Sequence, residues 1–584
     1  WWYYAVITNV CGFAVFYCNT NLSVFASILS LMVFSGKSFN YKNSVLINLC
    51  FSFFSIISSV VFVILDYVNF KKQAVVSENK KNNKVYLGVF IAIIIAIIFF
   101  ALYQQANPLF KEFTKNINLS WISIGWCFFT VWGFLVIYGL VYYRQLDQLS
   151  NLDINSNKTL TYTNAGIAEQ KVITNNAVVA LALFGLLNVM LVFINALDIT
   201  NLIGSHQLPK GVQLSDFVHN AVWSLVFSIV IALGLIMWFF KGDLNFNKQS
   251  KTLKYLVYLW IVQSAIMVIS AMVRNSWYIA EFQLTYLRIG VYVFLLLSLV
   301  GLFFTFIKIC LTKSAWYLVR QNFETWLLLL SLCSLVNWDK IISDYNILNA
   351  KSVEVLDKTY LIGLSNANLP QLTEIVFKNT PDSLLRYKAN SWSNSDLKQL
   401  SSKIYDCVSD EQNETWQSFN LRDNDINAKM HELISKKVIS GLALDYKYDV
   451  QLKKLEKFHS IKFLSLPNIP QDFELIAFFT NLEELSVGNL THTAIINILH
   501  NTELKRLNIT NYFDGVNYFE LLNYLKKLEI ISVPTVTNEA LLKLNNNHPS
   551  LKVLQVKTLY QDQIEFIHAN NLTYKVEEVY YGDR

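Results

Sequence analysis

Ten apolar runs fill the first 337 residues and constrain this half of the chain more than any other feature. They lie at 1–18, 22–38, 45–68, 85–105, 120–143, 176–199, 217–240, 254–273, 288–310 and 320–337. A helix needs about 20 predominantly apolar residues to span a bilayer, so residues 1–337 read as a polytopic α-helical membrane domain of about ten helices. Arg320 and Glu324 occupy the first turns of the last run, where a long basic side chain can snorkel to the interface.

Charge separates this half from the rest. Residues 1–337 carry 22 Lys+Arg against 11 Asp+Glu, and residues 338–584 carry 26 against 31. In a membrane protein the basic excess reports orientation before it suggests nucleic acid, and no nucleic-acid partner is expected. The connections 71–84, 241–254, 144–175 and 308–320 together hold 15 Lys and Arg, and ten alternating crossings put them all on one face. The opposite connections hold seven: Lys37, Lys42, Lys111, Lys115, Lys210, Arg274 and Arg288. The positive-inside rule then predicts a cytoplasmic face for the first set and a periplasmic position for everything after 337. Trp1 would begin on the periplasmic side too, which leads us to expect at least one span upstream of it.

Four polar residues near membrane ends are candidates for a cluster: Asp216 and His219 at the entrance of the 217–240 run, and Glu281 and Arg288 around an interfacial turn. Capping or an interfacial ion pair is the ordinary role for such residues. No run has Asp, Glu, Lys or Arg at its centre, where lipid exposure costs on the order of 3 kcal/mol. That argues against ion-coupled transport but leaves room for a carrier of lipid or uncharged substrate.

Past residue 337 the pattern changes. Residues 338–437 show helical spacing and read as a small helical domain, with Trp392, Trp416 and Phe419 packing it. From 438 to 584 an apolar-x-x-apolar-x-apolar pattern recurs seven times: Ile439/Leu442/Leu444, Ile461/Leu464/Leu466, Leu482/Leu485/Val487, Leu504/Leu507/Ile509, Leu528/Ile531/Val533, Leu551/Leu554/Val556 and Val576/Val579/Tyr581. A period of 21–25 residues is that of a leucine-rich-repeat solenoid, in which each unit is a short strand with a helical return.

Alternation along a strand turns the intervening residues to the open, concave face. The face comprises Phe463, Ser465, Glu484, Ser486, Arg506, Asn508, Ile530, Ser532, Val553, Gln555 and Tyr580, with Ala443 opening the row. Phe463, Ile530 and Tyr580 are candidate anchors for a protein partner. Asn468, Asn489 and Asn511 stand near where such repeats place a turn-binding asparagine.

Several stretches together resemble a known family: 277–308, SAWYLVR at 314–320, NWDKIISDYN at 337–346, LDKTYLIGLSNANLPQL at 356–372 and ETWQSFNL at 414–421. They are similar to an uncharacterised bacterial multi-pass membrane family, domain of unknown function 4173, related to the 4153 group. Gln283, Leu284, Thr285 and Arg288 match its turn before a late span, with Gln283 where glycine is usual. Asn337, Asp339, Tyr345, Asn346, Asp357, Tyr360, Leu361, Leu364 and Ser365 match its post-membrane motif. The resemblance covers roughly 1–425 and implies an inner-membrane protein with an extracytoplasmic tail. It supplies no reaction or substrate, and the repeats look like an added module.

Signatures of chemistry are missing from the sequence. The histidines form no H-x-x-x-H or H-E-x-x-H pair, and no G-x-S-x-G or phosphate-cradling glycine motif occurs. We therefore expect no catalytic residue, metal or cofactor. The chain reads as a membrane-anchored recognition or scaffold subunit of the bacterial envelope, holding a protein partner at the repeats, with a further partner within the bilayer a candidate. The alternative is a transporter or lipid-handling protein whose tail captures or gates substrate.

Overall fold

A computed structural model describes the chain apart from 75–87, 115–123, 161–166, 204–226, 241–249, 379–392, 411–419, 445–450, 514–521 and 580–584, and scattered positions chiefly within 90–105 and 227–233. It forms two compact units, one of 1–15, 20–278 and 287–336, the other of 16–19, 279–286 and 337–584. Asp216, His219 and Tyr580 lie outside the described residues.

The first unit is built of helices: α1 Trp2–Cys18, α2 Asn21–Phe39, α3 Val45–Ala74, α4 Ile124–Val141, α5 Asp147–Asn155, α6 Ile167–Ile203, α7 Ser250–Phe282, α8 Tyr286–Cys310 and α9 Ala315–Ser334. Five described helices are long and apolar enough to cross a membrane, or six if the bent pair Ala315–Ser334 and Trp338–Asn349 is one span. The runs at 85–105 and 217–240 fall largely outside the described residues.

Local chemistry sets the helix ends. Asn19 takes φ 43°, a left-handed value that asparagine tolerates, and Thr20 and Ser23 then cap α2 reciprocally. Ser314 caps α9 by accepting from Tyr317 N. Glycine lets helices approach: a Cβ on Gly139 would stand 2.7 Å from Ile56 Cα, and one on Gly36 2.7 Å from Asn48 Cβ.

Hydrogen bonds fix the helix directions and overturn the alternating topology. Asn40 Nδ2 donates to Ser150 Oγ, Ser44 N donates to Asp153 Oδ2, and Arg320 donates to Lys42 O and to Asp153. The turn at 40–44, helix α5 and the start of α9 therefore share one end of the bundle. Along α4, Tyr138 bonds Asp66 while Tyr143 reaches back to Asn48; α3 and α4 are antiparallel. Helix α4 therefore begins at the end where α3 finishes, not at the opposite end that strict alternation of the runs requires. Hydropathy measures whether a run can cross and is silent on its direction.

Two expectations fall with that alternation. Lys37 and Lys42 join the end that holds Lys313 and Arg320, whereas α3, with Lys71 and Lys72 in its last turn, finishes at the other. Trp1 Nε1 donates to Ser38 Oγ, and α1 runs parallel to α9, with Tyr4 bonding Glu324 and Cys11 bonding Ser331. Trp1 thus starts at the end opposite to the one where α9 leads the chain out.

In the second unit, α10 Trp338–Asn349, α11 Lys358–Gly363, α12 Leu369–Lys378, α13 Asn394–Asp410 and α14 Leu421–Ser435 precede seven strands. The strands are β1 Gly441–Ala443, β2 Phe463–Leu466, β3 Glu484–Leu490, β4 Arg506–Phe513, β5 Ile530–Val533, β6 Val553–Val556 and β7 Lys575–Glu578. They form one sheet in chain order, and every pair is parallel. Helical turns at Leu452–Phe458 and Phe473–Phe478, and helices α15 His492–Ile498, α16 Asn538–Asn547 and α17 Gln561–Ala569, return the chain between strands.

The apolar triplets of the first six copies are buried together, and Leu442, Leu464, Leu485, Leu507, Ile531 and Leu554 align in register. The seventh copy differs. Leu554 pairs with Val576 and Gln555 with Glu577, so the repeat begins three residues earlier than Val576/Val579/Tyr581 suggests. Glu577, and not Tyr580, holds the last place in the face row. Tyr574 is buried and donates to Leu541 O, while Tyr581 lies outside the described residues.

The turn-binding polar residues also lie elsewhere than expected. Asn468, Asn489 and Asn511 are exposed. Asn501 and His548 are the buried ones, each three residues ahead of a strand's first apolar position, and Asn501 Nδ2 donates to Ile476 O of the preceding repeat. At the first strand, Ala443 N donates to Ser401 Oγ of α13. Helix α13 buries Leu397, Leu400, Ile404 and Val408, closing that edge of the sheet against further pairing.

Candidate interaction site

Strand register arranges the predicted face residues in two rows. One runs Phe463, Glu484, Arg506, Ile530, Val553, Lys575, and the other Ala443, Ser465, Ser486, Asn508, Ser532, Gln555, Glu577. The rows are half-buried apart from exposed Lys575, and Ser532 is buried outright. Much of the polar row is bonded to itself: Asn508 Nδ2 donates to Ser486 Oγ, and Ser532 Oγ to Gln555 Oε1. In the other row Arg506 Nε stands 3.8 Å from Glu484 Oε1. Burial raises the Glu484 carboxyl, and Arg506 offsets only part of the shift. The result is a low surface on which Phe463, Ile530 and Val553 are the apolar contacts and the Glu484–Arg506 couple is the charged one.

A second concentration of sequence-flagged residues surrounds the turn between α7 and α8. Gln283 has φ 70°, the left-handed conformation for which glycine pays least. Its side chain compensates: Nε2 donates to Val355 O at 2.6 Å, and Asp357 N donates to Oε1 at 3.3 Å. Buried Asn346 pairs with both backbone groups of Leu284, accepting from its N at 2.6 Å and donating to its O at 2.9 Å. Tyr286 N donates to Tyr360 Oη, and Tyr286 Oη to Asp339 Oδ1. Asp357 also caps α11 through Tyr360 N. Lys403 Nζ closes the other end of that helix on the carbonyls of Ile362, Leu364 and Ser365, and burial brings its ammonium down to about 8.

The comparisons with known proteins bear on this turn. The model of a family described as "Domain of unknown function (DUF4153)" matches residues 2–375. The chain belongs to this family. No curated protein matches it, and neither does any solved structure. The DUF4153 match spans every residue that holds the 283–286 turn and ends well before the seven-stranded sheet begins.

In this DUF4153 member the membrane candidates separate. Glu281 is exposed, and the Arg288 guanidinium lies 4.3 Å from the Tyr278 ring centroid. The polar groups that do converge in the bundle are ones that the sequence did not single out. Asn188 Nδ2 donates to Leu256 O, Asn195 Nδ2 to Gln263 O, and Gln263 Nε2 to Asn188 Oδ1. Equal seven-residue steps on α6 and α7 make these helices parallel, and Asp198 closes the seam with Ser270 and Arg274. At the opposite end, buried Asp153 accepts from Ser44 N, Trp316 Nε1 and Arg320. Partners 68 to 167 residues apart leave no local signal; only the isolated charge at the margin of an apolar run hints at them.

Proposed function

We propose that this protein is a non-enzymatic, membrane-anchored recognition or scaffold subunit of the bacterial envelope, with its sheet serving as a leucine-rich-repeat solenoid that binds a protein partner. The observation that carries this reading is the run of seven parallel strands in chain order, whose register holds through the face positions and shifts only beyond Val487 between the third and fourth strands; it sets apolar and polar rows side by side on one face. A surface bearing Phe463, Ile530 and Val553, with few free hydroxyls, suits the apolar side chains of a protein. The anchor is a multi-pass bundle in the inner membrane, close to the 4173 group as well as the 4153 one. We place the tail in the periplasm because the family resemblance over 277–421 implies an extracytoplasmic tail.

The test is co-purification in mild detergent with Ser486→Glu and Asn508→Glu. Loss of a stoichiometric partner, with the tail still folded by circular dichroism, is the expected result; retention of that partner contradicts the reading. The α6–α7 seam favours a second reading, transport or lipid handling, because it holds an ionisable pair, Asp198 and Arg274, between two apolar helices, and ionisable residues in such a place are functional by default. Substrate-dependent protection of Asn195 or Gln263 variants from labelling would support that reading.

A further inference from the structure

Helix α5 is amphipathic in the inverted sense. Ser150 and Asp153 are buried at 2% and 3% exposure, whereas Leu149 and Leu152, one turn apart, are 45% and 69% exposed. Leu146 just before the helix is 44% exposed. Asp147, Gln148, Asn151 and Asn155 occupy the remaining arc, also exposed. The helix thus has three flanks: polar groups toward the protein, leucines to one side, and polar groups on the outside.

The inward flank is firmly held. Asp153 accepts from Trp316 Nε1 at 2.5 Å and Arg320 at 2.7 Å, and Ser150 Oγ donates to Asn43 Oδ1 at 2.9 Å. A scattered exposed leucine needs no explanation. A helix that spends its carboxylate inside and its leucines outside is different, because in water each leucine forgoes about 2 kcal/mol of burial. The chain enters α5 from the end of α4, which is open and apolar as well: Ile137, Val141 and Tyr142 are 63%, 69% and 57% exposed.

We propose that α5 lies in the membrane interface, with Leu146, Leu149 and Leu152 inserted at the headgroup–acyl boundary and its outer arc in water. The occupant of this face is lipid: the flank follows within a few residues on the exposed apolar end of a helix of the bundle and carries no charge that a protein partner would read. Because Arg320 and Trp316 belong to α9, the interfacial helix is tied to the helix that leads into the tail.

The test uses full-length protein in phosphatidylcholine liposomes, with bimane on Leu152→Cys or Asn151→Cys and the exposed Cys50 and Cys310 replaced by serine. Brominated acyl chains should quench the label at 152 about threefold more than the one at 151, and aqueous iodide should do the reverse. Equal iodide access at both positions would overturn the proposal by showing a solvated helix. Insensitivity of 152 to both quenchers, relieved on dilution to one copy per vesicle, would overturn it in favour of a second copy. Leu149→Cys repeats the measurement should Leu152→Cys fail to reconstitute.

Discussion

Gln283 shows how a single residue can substitute for the glycine its conformation calls for. A left-handed non-glycine residue costs about 1–2 kcal/mol, and the two side-chain bonds to Val355 and Asp357 return a similar amount at roughly 1 kcal/mol each. Gln283→Gly should therefore shift stability by less than about 1 kcal/mol, while Gln283→Ala keeps the strain, loses the bonds and costs about 2 kcal/mol. Thermal unfolding of the two variants in one detergent distinguishes these outcomes. At Asn346, alanine would strand a buried N–H and C=O of Leu284, a loss of about 2–4 kcal/mol, measurable in the same assay. His548 makes a pH-dependent contribution. Burial lowers its folded value below the ordinary 6.5, so below about pH 6.5 the unfolded chain takes up a proton that the folded one refuses. Stability of the tail should fall as pH drops through that window and level off below the folded value. His548→Asn, copying Asn501, should flatten the profile, and a profile unchanged in that variant would assign the effect elsewhere.

At the scale of elements, period and spacing were legible wherever one face of a strand is buried. Leu464, Leu485 and Leu507 could be aligned from sequence because slipping by one residue would turn each to the wrong side. The seventh strand was misplaced because Val576, Val579 and Tyr581 satisfy the same template three residues late, and nothing local reveals that Tyr574 is the buried ring. The turn-binding role of Asn501 and His548 was hidden for a related reason: the intervening repeats place Phe479 and Leu525 there, so no single residue type recurs. Helix contacts follow the same logic. Gly139 meets Ile56 across 83 residues of chain, and Gly139→Leu should separate α3 from α4 by pushing a side chain into backbone. The expected readout is a markedly lowered unfolding temperature, with Gly133→Leu, whose added Cβ meets open space, near wild type.

For the whole molecule, the long apolar helices before 337 and the parallel sheet after 440 follow patterns that the sequence carries, whereas the threading of the first half does not. A run such as 85–105 is counted by hydropathy whether or not it changes sides, and every later connection inherits the error. Hydrogen bonds from Asn40, Ser44 and Arg320 correct it by placing distant segments at a common end. The proposed activity depends on the sheet's front surface being its working surface. Its most direct test is site-specific photo-crosslinking in the native host, with a photoreactive phenylalanine at Phe463 or Val553 on the sheet face and at Phe478 or Tyr524, both exposed on the helical side. One discrete protein adduct from the first pair and none from the second is the predicted result; adducts from the helical side alone, or from neither, would contradict it.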